Sequence, residues 1–190
     1  MKKSVIITVT ILALAFVGGL STGCKKKACE GGKKAGALQA SAQKELGVEP
    51  SVSVSINLKS MRKSKLYSTF KDRIAKKNLG DSACGKEMMD TADSLAVVAH
   101  SPNGFKGDGK DDIMVAVLRG MDADKAMACI KKSPELKISQ EKVNGKTFDA
   151  FESDSKKMYL FKADATAIVI ASEAAVKKLV PGKGTLGRGD

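Results

Sequence analysis

The sequence predicts an α+β fold: a single domain over residues 51–182, built on a mostly antiparallel or mixed sheet with helices packed on one face. Three observations lead there. Val52, Val54, Ile56 and Leu58 alternate with Ser53, Ser55 and Asn57, the period of a strand with one buried face. Later apolar runs of strand length are separated by turn signals too short for parallel crossovers. Between them lie capped stretches with apolar residues three or four apart, the period of short helices.

After the first strand, Ser64 is placed to cap a helix carrying Leu66, Phe70 and Ile74 on one side, with Lys65, Lys71, Arg73, Lys76 and Lys77 on the other. Lys76 and Lys77 suit the negative end of the helix dipole, and 78–80 (Asn-Leu-Gly) stops the helix. A shorter helix is expected from Ala83 to Thr91. Leu95 to His100 and Ile113 to Arg119 are continuous apolar runs around a polar, glycine-rich loop, which reads as two central strands with cover on both faces. Asp122 caps a helix presenting Ala126, Cys129 and Ile130. Asn144-Gly145 between Ile138–Val143 and Lys146–Phe151 is a two-residue hairpin signal. Met158–Phe161 and Thr166–Ala171 supply two more strands. Ser172 then caps a last helix with Val176, Leu179 and Val180 inward, closed by Pro181-Gly182. Three times a strand runs into a capped helix, at 55–66, 116–127 and 169–179, a pattern compatible with a degenerate repeat.

The first 23 residues belong to no domain. Lys2 and Lys3 precede an apolar run from Val5 to Leu20, and Ser21-Thr22-Gly23 lead to Cys24, the layout of a secretory signal. The run falls short of a spanning helix, which needs roughly 18 apolar residues. Leu-Ser-Thr-Gly-Cys at 20–24 resembles the lipobox of bacterial lipoproteins, with Ser21 where that family usually has Leu. The resemblance implies that Cys24 is diacylated on sulfur and becomes the new N-terminus, and that Lys25, in place of an aspartate, directs the protein to the outer membrane, facing the periplasm. Several acyl chains make such an anchor stable. Residues 24–50, rich in Lys, Gly, Ala and Ser, read as the lipidated end and a flexible tether, and 183–190 as a loose tail.

Beyond the signal about 167 residues remain, enough for one domain with a sizeable core. They hold 31 basic and 21 acidic residues, a charge of +10. In an exported protein that excess points to anionic envelope polymers or lipid headgroups as partners. With no Trp and two Tyr, there is little from which to build a stacking platform, which counts against nucleic-acid and carbohydrate readers. The residues expected to face an anionic surface are Lys59, Arg62, Lys63, Lys65, Lys71, Arg73, Lys76 and Lys77.

The domain also resembles a group of mostly delta-proteobacterial envelope lipoproteins. The resemblance rests on the opening strand, Ser64-Lys65-Leu66-Tyr67, Cys84-Gly85, Leu118-Arg119-Gly120 and Ala128-Cys129, and covers about 51–180. It implies no enzymatic activity.

Motifs that would imply chemistry fail on inspection. Residues 104–111 approach the phosphate loop G-x-x-x-x-G-K-[ST], but Asp111 replaces the metal-binding hydroxyl and a strand follows where a helix is required. As a calcium loop starting at Asp108, the segment has Arg119 where the bidentate Glu belongs. His100, the only histidine, has no partner spacing and reads as structural. No G-x-S-x-G elbow is present, and Arg188-Gly189-Asp190 is a chance tripeptide in the tail. No cofactor or metal is expected.

Of the four cysteines, Cys24 is assigned to lipid and Cys29 lies in the tether. A disulfide between Cys84 and Cys129 is therefore expected in an oxidising compartment, where the resembling lipoproteins also place a pair; two buried free thiols are the alternative. The functional expectation is a membrane-anchored envelope lipoprotein, a non-catalytic binding or structural module. A periplasmic enzyme without a recognisable motif is the other reading.

Overall fold

The alternating and continuous apolar runs become the strands of one sheet. A computed structural model describes residues 39–64, 67, 87–88, 90–102, 111–133, 136–153 and 156–179. A helix at 39–46, α1, leads to β1 (Val52–Asn57), α2 (Leu58–Arg62), β2 (Ser94–His100), β3 (Ile113–Arg119) and α3 (Ala123–Lys131). β4 (Ser139–Val143), β5 (Lys146–Ser153), β6 (Lys156–Asp164), β7 (Ala167–Ser172) and α4 (Glu173–Val176) complete the order.

All seven strands pair antiparallel in the order β1-β2-β3-β7-β6-β5-β4. The chain lays down β1 to β3 as neighbours, and α3 carries it to the far edge. It returns through β4, β5 and β6 until β7 closes against β3.

This corrects the α+β expectation. The chain is mostly β: the strands run to nine residues, whereas α2, α3 and α4 have five, nine and four. Capping signals are strong in this sequence, but a cap fixes where a helix starts, not how far it runs. The helices also cover both faces. Side chains of successive strand residues point to opposite sides, so Val115, Val117, Tyr159, Phe161 and Val169 join α1 and α4 in one core. Ala116, Leu118, Met158, Leu160 and Ile168 join α2 and α3 in the other. Strands apolar on both faces demand this.

Local boundaries moved for identifiable reasons. Leu58 begins α2 rather than ending β1, because Asn57 Oδ1 accepts from Ser60 N–H at 2.8 Å and Leu58 is buried. Ser64 donates its hydroxyl to Met61 O at 2.7 Å, and its carbonyl accepts from Tyr67 N–H at 3.1 Å; the helix expected after it lies, apart from Tyr67, outside the described residues. Asp122 caps α3 as the sequence indicated, accepting from Lys125 N–H at 3.0 Å. Ser172 stands at the start of α4 without a side-chain cap bond; its hydroxyl joins Asp112 O at 2.9 Å and Met114 N–H at 3.0 Å. Asn144 and Gly145 adopt φ of 50° and 77°, the two positive values of a type I′ hairpin turn. The segments 68–86 and 103–110, with the expected basic helix and the near-match to a phosphate loop, lie outside the described residues, as do 1–38 and 180–190.

Candidate functional site

A groove of about 360 Å³ lies where α3 crosses the β4–β5–β6 end of the sheet. The Asn144-Gly145 turn sets Val143 opposite Lys146 and so brings Gln140 opposite Asp149; Asp149 in turn faces Leu160 on β6. Met127 and Lys131 approach from α3, and Thr147 and Lys162 complete the wall. Asp149 is buried, and Lys131 holds it at 2.8 Å from a half-exposed position. Lys162 donates to both oxygens of Asp124, at 2.8 and 3.0 Å, in an exposed pair. The groove therefore combines an apolar floor with two ammonium groups, Lys131 and Lys162, each paired with a carboxylate, whereas Lys146 follows Phe148 to the opposite face of the sheet.

On the other face, β4 and β6 assemble the densest set of titratable groups described. Lys157 Nζ donates to Glu141 at 2.8 and 3.1 Å, and the buried Tyr159 hydroxyl donates to Glu141 Oε2 at 3.0 Å. Lys157 and Tyr159 pull the Glu141 carboxyl below its ordinary range, and Glu141 raises the Lys157 ammonium. Burial, reinforced by Glu141, pushes the Tyr159 phenol up. Each shift moves its group away from neutrality, the reverse of what a general acid or base requires. Phe148 packs edge-on to Tyr159 and Phe161, with centroids at 6.2 and 5.5 Å, and locks the phenol in place. This arrangement suits a structural tie.

The expected anionic-surface residues separate. Arg62 Nη1 donates to Ala92 O at 2.6 Å, and Arg62 and Lys59 both approach Asp93 Oδ1, at 4.0 and 3.8 Å. These two serve the α2–β2 junction. Lys63 is exposed beside them, whereas Lys65, Lys71, Arg73, Lys76 and Lys77 lie outside the described residues. Cys24 and Cys84 do as well. Cys129 is disulfide-bonded to a partner outside the described residues, and lines a small cavity of about 110 Å³ with Met88 and Met121. His100 Nδ1 meets Glu49 O at 2.7 Å, tying the segment before β1 to the end of β2. Asp112, next to the loop that resembles a phosphate loop, pairs with Lys156 at 2.9 Å, and β3 starts at the following residue.

The sequence reading missed the groove. The hairpin register was available from Asn144-Gly145, and it aligns Gln140 with Asp149. Lys131 and Met127 arrive through the crossing of α3, which no local pattern encodes. Among the described residues, no group of three or more His, Cys, Asp or Glu side chains is placed to hold a metal, and no helix is long and apolar enough to cross a membrane. Comparison of the chain with protein-family models, with curated proteins and with solved structures finds no match.

Proposed function

We propose that this chain is a lipid-anchored envelope protein and a non-catalytic binding module for anionic partners, held to the outer membrane through Cys24 and facing the periplasm. The observation that carries the reading is the N-terminal segment, a basic start and apolar run ending in Gly23-Cys24, followed by a tether and a domain with a large positive charge. The Glu141–Lys157–Tyr159 set supports the non-catalytic half, because its charges are locked rather than poised near neutral pH. Anionic lipid headgroups or envelope polymers are the partners the charge favours, with Lys63, Lys65, Lys71, Arg73, Lys76 and Lys77 among the contributors. The test is binding of the chain from residue 25 onward to vesicles. Binding should rise with the anionic lipid fraction and fall with salt, since exposed charges are screened beyond about 10 Å at 0.1 M. Binding indifferent to both would contradict the reading.

A further inference from the structure

We infer that β1 is a docking edge for a second copy of this chain, the two β1 strands pairing antiparallel about Val54. The inference goes beyond the anionic-partner reading and does not depend on it. β1 ends the sheet on one side and β4 on the other, so each has one backbone edge turned away from the other strands. Such an edge is a template for another strand unless charge, proline or a bulge blunts it. β4 carries Glu141 and Lys142 among its five residues. β1, Val-Ser-Val-Ser-Ile-Asn, carries no charge and no proline, and its register with β2 runs unbroken over all six residues. Val52, Val54 and Ile56 are only half-buried, and Val54 and Ile56 lean on the core that holds α2 and α3 without being enclosed by it.

From Val52 to Ile56 the sequence reads the same in both directions, apart from the exchange of Val for Ile at its ends. A twofold axis through Val54 therefore sets Val54 against Val54 of the second copy, Val52 against Ile56, and Ser53 against Ser55. Cross-strand partners share a face, so β-branched side chains meet on the side of the α2–α3 core and hydroxyls meet on the other. Ser53 already has an interaction of its own, so the backbone ladder and the apolar pairs carry the register. That ladder runs about 20 Å. Just beyond it Glu49 and Lys59, both exposed and opposite in charge, share each end of the pair, one from each copy. The axis of an antiparallel pair stands perpendicular to the sheet and keeps like faces on the same side. Both copies of α1, and the tethers that lead into them, then lie on one face, so two lipid anchors reach a single bilayer. Sharing a bilayer raises the effective concentration of the copies, which suits an interface built on one strand pair.

The experiment is oxidative cross-linking of the full acylated protein in neutral phosphatidylcholine vesicles, in a Cys29→Ser background that removes the tether thiol. Val54→Cys should form a disulfide-linked dimer on its own, because directly opposed strand residues have Cα atoms about 4.5–5.5 Å apart, within the span of a disulfide. Val52→Cys and Ile56→Cys should each stay monomeric alone and cross-link when reconstituted together. Cys29→Ser with no added cysteine, and Gln140→Cys on the opposite edge, should not cross-link. Sedimentation in neutral detergent should find the wild type as a dimer and Val54→Lys, which sets two like charges face to face, as a monomer. If Val54→Lys does not fold, the conservative cysteine variants decide. No cross-link at position 54, or equal cross-linking at 52, 54 and 140, overturns the pairing, as does a dimer that Val54→Lys leaves intact.

Discussion

Replacing Gly120 by alanine should destabilise the domain far more than the same change at Gly145, although both glycines have similar backbone angles. Their φ values are +83° and +77°, so each substitution carries the left-handed penalty of roughly 1 kcal/mol. The surroundings differ. At Gly145 an added Cβ meets nothing within 4 Å, whereas at Gly120 it falls 2.4 Å from Asp93 Cβ and 2.5 Å from Cγ and Oδ2. Ordinary carbon contacts lie near 3.5–4.0 Å, so one side must retreat by about 1 Å. Asp93 is poorly placed to do so: its N–H donates to Arg119 O at 2.7 Å, its carbonyl accepts from Lys59 N–H at 3.1 Å, and its carboxylate faces Lys59 and Arg62. Such overpacking costs roughly 1–3 kcal/mol. Gly120→Ala should therefore cost about 2–4 kcal/mol and Gly145→Ala about 1 kcal/mol, measured by urea unfolding followed by circular dichroism. In an Asp93→Gly background, which removes all three contacting atoms, the Gly120→Ala cost should fall towards that of Gly145→Ala. Equal costs at the two glycines, or a Gly120 cost unchanged in that background, would refute the steric argument.

The Glu141 network gives a pH signature. Its carboxyl is depressed in the folded state, so its contribution is present above the unfolded value of about 4.3 and is lost as pH falls through the folded one. Lys157 is raised, so its contribution is present below about 10.4 and is lost as pH rises through the folded value. Glu141→Gln should flatten both the acid and the alkaline flank of the melting-temperature profile; a variant profile parallel to the wild type would show that the network carries no linkage. For the disulfide at Cys129, the proposed partner is Cys84, closing a loop of about 46 residues and removing denatured-state entropy equivalent to roughly 4 kcal/mol. Cys84→Ser should then lower the melting temperature as much as reduction of the wild type does, and a Cys84→Ser protein that keeps a reducible bond at Cys129 would assign the partner elsewhere.

The strands were legible because their signals are local. Ile113 to Arg119 reads as a strand end to end in sequence and structure, and Asn144-Gly145 fixes the β4–β5 register. Helix extent was not legible. Glu173 to Val176 forms a single turn where the apolar spacing through Leu179 reads as a longer helix, since packing on the sheet and not periodicity decides where so short a segment stops. The same limit explains the misassigned class: periodicity counts capped starts, and these starts open brief turns between long strands. The pairing of β3 with β7 joins residues 48 to 56 apart, and the groove depends on where α3 crosses the sheet. Neither leaves a trace in any window of sequence. The basic segment looked continuous because charge was counted without geometry. Asp93, about 30 residues further along the chain, claims Lys59 and Arg62 only once β2 is beside α2.

The lipid anchor at Cys24 is tested by intact-mass analysis of the mature N-terminus from native envelopes. The expected result is an N-terminal peptide starting at Cys24 and carrying the mass of a diacylglyceryl group with or without a further acyl chain, together with loss of membrane partitioning in Cys24→Ser. A mature protein that begins at another residue, or one that starts at Cys24 without added lipid, would contradict it.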